Sequence, residues 1–241
     1  MKFIISIFFM IAFANANQFE QKELQLFNTT KETSTIKIGS LTLGQSGIVL
    51  HTFKNKKSII LTNAIVIKSN EQNSTIKFVK SNILAQDAIP FTNVKPSNDD
   101  IFILNHLSTT SLLVSPNFEA NQRISNAYYK NNFINIDIFA AWLKVNNTPL
   151  PSKEDIMTFA ASNHIGTIFI QVASKLYIVD AISFKVIQTR DIKIKDTKEE
   201  VPFFSNVQNI TKNVFAWFSP SKIENYKEYY TNLIGINNDS K

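Results

Sequence analysis

From Thr35 onward the chain carries short runs of alternating apolar and polar residues at close intervals. "STIKIGSLTL" puts Ile36 and Ile38 on one face, the alternation of a half-buried strand. "GIVLHTF" follows as a second run, headed by Gly47. "KSIILTNAIVIKS" is long and rich in β-branched residues, and "STIKFVKSNILA" lies beyond the polar residues 70–73. These two are expected to pair as a hairpin. "DDIFILNHL" and "TSLLVSP" suggest another hairpin around Ser108. Strands joined this closely by turn residues predict a small antiparallel β-barrel or sandwich over residues 35–115. Residues 17–34 are polar with a weak pattern and are expected to form a mobile lead-in.

After Pro116 the period changes. "PNFEANQRISNAYYK" predicts a helix opening at Pro116-Asn117. "DIFAAWLKV" sets Ile138, Ala141, Trp142 and Val145 on one face, with Asp137 expected as the cap. "SKEDIMTFAAS" has Ser152 in cap position and Asp155 three residues on, a capping box with a short carboxylate. Pro149 and Pro151 separate these two helices. "IGTIFIQVA", "LYIVDA" and "FKVIQTRDI" predict a three-strand meander, with Asp180 turning the chain between strands. "KIENYKEYYTNLIGI" predicts a last amphipathic helix stopped at Gly235. The second half, residues 116–236, is thus expected to be α+β, with helices packed on an antiparallel sheet. Its core should join Phe139, Trp142, Leu143, Ile156 and Phe159 to Ile168, Ile170, Tyr177, Val179 and Val186. Residues 237–241 form a short tail.

The first 16 residues do not belong to this fold. "MKFIISIFFMIAFANANQ" has one cation, Lys2, an apolar run over residues 3–13, and the small-x-small step Ala14-Asn15-Ala16. That is the layout of a secretory signal peptide cleaved after Ala16. The run is shorter than the roughly 20 residues of a spanning helix, so no integral membrane segment is expected after cleavage. The mature chain is expected outside the cytoplasm. It has no Cys, which excludes a disulfide framework and Cys-ligated metal. With 44% hydrophobic residues and 20 Phe, a packed core must supply the stability. The net charge of +6 would suit an anionic partner, but the cations are scattered lysines such as Lys54, Lys56, Lys57, Lys68, Lys77 and Lys80. Arg123 and Arg190 are the only arginines, where phosphate- and base-reading surfaces favour Arg. No nucleic-acid partner is expected.

Chemistry-bearing residues are sparse. His51, His106 and His164 lie far apart, without helical metal spacing. Asp99-Asp100 follows Pro96-Ser97-Asn98 and suits a turn. Ser40 and Ser46 flank glycines with no acid or His nearby in sequence. There is no phosphate loop, dinucleotide turn or nucleophile elbow. Neither an enzyme nor a cofactor or metal site is expected. "EQNST" holds an Asn-x-Ser/Thr acceptor at Asn73, with an acid two residues before it. This resembles the extended sequon of bacterial N-glycosylation, so Asn73 is a candidate glycosylation site at a hairpin tip. The last residue, Lys241, would offer an ammonium and a carboxylate on one short stem, the pair that kringle lysine-binding sites hold across an aromatic trough.

Several stretches carry a family resemblance: "SGIVLHTF", "AIVIKSN", "KSNILAQDAIPFTNVKPSNDDIFILNHL", "LLVSPN", "IDIFAAWL", "PLPSKEDIMTFAASNHIGTIFI", "LYIVDAISFKVIQ" and "FFSNVQNI". In order and spacing they resemble the N-terminal domain of the plasminogen-binding surface proteins of host-associated spiral Gram-negative bacteria, over roughly residues 36–236. The resemblance implies an exported or surface-displayed protein that recruits host plasminogen through lysines. Family members with that activity carry a long Lys-rich C-terminal extension. Here "NNDSK" follows the domain, and Lys241 alone matches a terminal lysine role. A barrel followed by helices on an antiparallel sheet is also loosely similar to periplasmic proteins built around flagella, of the flagellar assembly protein T type. That alternative implies a structural or assembly component of the envelope, with other envelope proteins as partners, located in the periplasm and not on the cell surface.

Overall fold

The computed structural model describes residues 19–80, 93–148, 150–193, 199–207 and 225–236. The first half is a closed antiparallel barrel. Its strands are β1 (Lys22–Phe27), β2 (Thr33–Ile36), β3 (Ser46–Thr52), β4 (Ser58–Ser69), β5 (Ser74–Val79) and β6 (Ile101–Leu104). The order around the barrel is β1-β2-β5-β4-β3-β6, closed by pairing of β6 with β1. Closure leaves no free sheet edge and turns alternate side chains into one interior. Leu26, Ile36, Val49, Ala64, Val66, Ile76, Phe102 and Leu104 fill it. Gly47 is required where β3 crosses β6: a Cβ there would lie 2.1 Å from the Ile103 carbonyl oxygen and 2.8 Å from the Phe102 ring.

The expected β4–β5 hairpin is present, with Ser69 opposite Ser74. Two expectations for this half are corrected. The polar segment 17–34 contains β1, which pairs with both β2 and β6 and buries Leu26. Its sequence pattern is weak because the exposed and half-exposed residues of "KELQLF" put a single side chain fully inside. β6 and β7 (Thr110–Val114) do not form a hairpin. β6 completes the barrel, and β7 begins the next sheet.

That sheet has the order β11-β10-β9-β7-β8. Its strands beyond β7 are β8 (Asn132–Ile134), β9 (Thr167–Val172), β10 (Lys175–Asp180) and β11 (Val186–Asp191). β9, β10 and β11 form the antiparallel meander, while β7 runs parallel to both β8 and β9. The parallel pairings follow from crossovers through helices. α1 (Phe118–Ala127) links β7 to β8; α2 (Ile136–Val145) and α3 (Lys153–Ser162) link β8 to β9. α1 covers one face through Ile124 against Leu113, Phe169 and Ile178. α2, α3 and α4 (Tyr226–Leu233) cover the other, against Leu112, Val114, Ile168 and Ile170. All ten apolar residues expected in this core belong to it, with Trp142, Tyr177 and Val186 half-buried at its margin. The molecule is mixed α+β with an N-terminal barrel.

Local signals place the helices. Asn117 caps α1 by accepting from the Ala120 N–H. Ser152 and Asp155 form the full reciprocal capping box on α3. Gly235, at φ 68°, follows α4 as its stop. On α2 the cap is Asn135, which accepts from the Asp137 N–H, not Asp137 itself. The buried face is Ile136, Phe139 and Leu143; Ile138 and Val145 point outward at 52% and 80% exposure. The pattern groups Ile138 and Val145 with Trp142 on one face, but the face that enters the core carries Ile136, Phe139 and Leu143. Nearly every position of "IDIFAAWLKV" is apolar, so its periodicity admits more than one face.

Candidate binding surfaces

The β3–β4 hairpin carries the densest cationic group among the described residues that the sequence singled out. Its tip is ordered: the Phe53 N–H donates to the Lys57 carbonyl at 2.9 Å, and the Lys56 N–H donates to the Phe53 carbonyl at 2.9 Å. Lys56 takes a left-handed φ of 63° to close the turn. Lys54, Lys56 and Lys57 are all exposed there. Phe53, just after β3, and Ile60, on β4, are also exposed. No described lysine has a described carboxylate within ion-pair distance. Two stand over rings instead, Lys37 over Phe27 at 4.2 Å and Lys153 over Phe184 at 5.4 Å. The ammonium groups at the hairpin tip are therefore free to meet an anionic partner, and solvation lets them do so at little desolvation cost.

The histidines and acids serve separate local tasks. His51 shares a 2.8 Å hydrogen bond between its Nδ1 and Asp100 Oδ1, at the barrel surface. The other oxygen of Asp100 accepts from the Ser97 N–H and hydroxyl. Asp99 holds the turn at φ 75°. His106 has a buried Nδ1 with no partner. Burial, and then the nearby charge of His164, hold its pKa below the ordinary histidine value. The three histidines do not converge, and among the described residues no three metal-ligating side chains gather. Asp137 accepts from the Ser205 hydroxyl and from the backbone and side chain of Asn206. Burial works to raise its pKa, but the Asn206 and Ser205 hydrogen bonds outweigh it and hold the carboxyl below its usual value.

Ser46 does have an acid partner, one that sequence distance concealed. Asp180 Oδ2 accepts from the Ser46 N–H at 2.9 Å and its hydroxyl at 2.7 Å. Oδ1 accepts from the Ile182 and Ser183 N–H groups, the turn expected of Asp180. The Ser183 hydroxyl then donates to the Gly44 carbonyl at 2.7 Å. This latch joins the barrel to the second sheet. Ser40 closes a turn at φ 56°, its N–H donating to the Asn70 carbonyl.

Asn73 lies in the β4–β5 turn, half-buried, with its N–H donated to Asn70 Oδ1 at 2.7 Å. The next residue, Ser74, is buried and donates its hydroxyl to the Ile38 carbonyl. Ala16 and Lys241 lie outside the described residues. Among those described, no helix is long and apolar enough to cross a membrane.

The model of one family, plasminogen-binding protein pgbA N-terminal, matches residues 21–234. The chain belongs to that family. The match begins just before β1 and ends within a residue of α4, so the pgbA N-terminal domain comprises both the barrel and the α+β half. No curated protein and no solved structure matches the chain.

Proposed function

We propose that the chain is an exported, non-enzymatic binding protein that recruits host plasminogen through lysine side chains. The observation that carries this reading is the family match over residues 21–234. It is supported by lysines that no described carboxylate neutralises, three of them on the ordered tip of the β3–β4 hairpin. A lysine-reading partner needs an ammonium free to enter an acidic, aromatic trough. Lys241 is the first candidate, and Lys54, Lys56 and Lys57 are the second. Export rests on the signal-peptide layout ending at Ala16.

The test is binding of purified mature chain to immobilised plasminogen, with 6-aminohexanoate as competitor. Binding that the competitor abolishes supports the reading; absence of binding overturns it. Loss on removal of Lys241 assigns the terminal lysine. Loss only in the Lys54→Ala/Lys56→Ala/Lys57→Ala variant assigns the hairpin.

A second reading, an envelope structural component in the periplasm, is favoured by the outward apolar residues Ile138 and Val145 on α2, which suit a protein neighbour. Antibody labelling of intact cells supports surface display. Labelling only after outer-membrane disruption supports the periplasmic component.

A further inference from the structure

Beside the second sheet lies a cavity of about 260 Å³, at the carboxyl ends of the parallel strands β7 and β8. Open α/β sheets place their ligand crevices at this kind of position, where crossovers leave in opposite directions. Here β7 leads into α1 on one face, and β8 leads into α2 on the other. α1 presents Phe118, Asn121 and Ser125 to the cavity, three residues spaced to share one helix face. Asn135, Phe204 and Asn206 line it from the other side.

The lining is uncharged and two-sided: Leu113, Phe133, Ile134 and Ile136 give an apolar floor, with the polar side chains and Phe118 around it. Neither the Asn121 amide nor the Ser125 hydroxyl has a partner among the described residues. Asn135 spends its Oδ1 on the Asp137 N–H and keeps its NH₂ group unused. Asn206 spends its donors on Asp137 and keeps its Oδ1. The carboxylate of Asp137, next to the rim, is already taken up by Ser205 and Asn206. Phe118 is 53% exposed, a high value for so large an apolar ring, and its centroid lies 5.5 Å from that of Phe204 at 56°.

We propose that this cavity binds one ring of a neutral, polyhydroxylated ligand, a sugar residue of a glycan. A sugar hydroxyl both donates and accepts, so adjacent hydroxyls match the mixed donors and acceptors of Asn121, Ser125, Asn135 and Asn206. The apolar C–H face of a sugar ring packs against an exposed aromatic ring, which accounts for Phe118. An anionic ligand would lose hydration with no cation in the lining to meet it, and would face the Asp137 carboxylate at the rim. The volume lies below the roughly 300–1,000 Å³ of sites for drug-sized ligands, which limits the occupant to a single ring. This inference does not depend on plasminogen binding.

The experiment is saturation-transfer NMR on the mature chain with the methyl glycosides of glucose, galactose, mannose and N-acetylglucosamine at millimolar concentration. N-acetylglycinamide serves as a peptide-like probe. The expected result is transfer to at least one glycoside, reduced at least fivefold in Phe118→Ala and in Asn121→Ala, with helix content and melting temperature unchanged. Ser125→Ala, a smaller change, should weaken the same signal if a variant at Phe118 or Asn121 proves unstable. Absence of transfer to every glycoside overturns the proposal, as does a signal that all three variants retain. Transfer to N-acetylglycinamide alone assigns the cavity to a peptide and overturns it as well.

Discussion

Asp180 accepts four hydrogen bonds while only 4% exposed, two from the turn that follows it and two from Ser46. Asp180→Asn keeps an acceptor for the turn but sets an amide N–H₂ against the Ser46 donors. It is expected to cost about 1–3 kcal/mol, measured by urea denaturation. Burial raises the Asp180 pKa against the opposing hydrogen bonds of Ser46, Ser183 and Ile182. A folded pKa above the unfolded one means that the linked stability is complete below about pH 4 and is lost as pH rises through the raised value. The Asn variant should lack that part of the pH profile. His106 works in the opposite sense. Its pKa is lowered, so its linked stability is present above about pH 6.5 and lost as pH falls through the folded value. His106→Leu removes a buried nitrogen without a partner. Thermal melts between pH 5 and about 7.5, spanning the ordinary histidine range, should show a flatter acid limb with no loss at the neutral end. The turn-forming role of Asp180 was legible in "YIVDAISFKV". Its bond to a residue 134 positions earlier was not, because nothing local distinguishes a serine that will meet it.

Among the helices, α2 shows how far periodicity carries. Phe139 is fully buried, stacked on Phe203 at 5.5 Å and tilted against Phe159 at 4.8 Å, whereas Trp142 is half-buried beside it. Phe139→Ala should therefore cost about 3–5 kcal/mol, the range for large buried aromatics. Trp142→Ala should cost less, since part of its ring stays in water in both states. Equal costs in denaturant titrations would mean that Trp142 is covered by a partner. On α3 the capping box predicts that Ser152→Ala loses about 0.5–2 kcal/mol, read as a lowered melting temperature. That box was visible in "SKED" because a cap is a local motif. β8 was not visible: three residues are too few to show alternation, and its pairing is parallel to a strand brought beside it by α1.

Across the whole molecule, the barrel and the α+β half meet through Asp180 with Ser46 and Ser183 with Gly44. The intact protein is expected to unfold in one calorimetric transition, and Asp180→Asn combined with Ser183→Ala to separate it into two. A single transition in that double variant would show that other contacts hold the halves together. The sequence by itself determined the α+β class, the β4–β5 hairpin, the antiparallel meander, the capping box of α3 and all ten residues expected in the second core. These depend on alternation, helical period and capping chemistry, which act over a few neighbouring residues. Only the tertiary structure decided that β1 belongs to the barrel, that β6 and β7 part into different sheets, and that Ile138 and Val145 of α2 stay outside the core. The cavity between α1 and residue 206 is of the same kind, assembled from positions more than 80 residues apart. Such features follow from which surfaces remain to be covered once the local elements exist, and a single element's pattern does not carry that information.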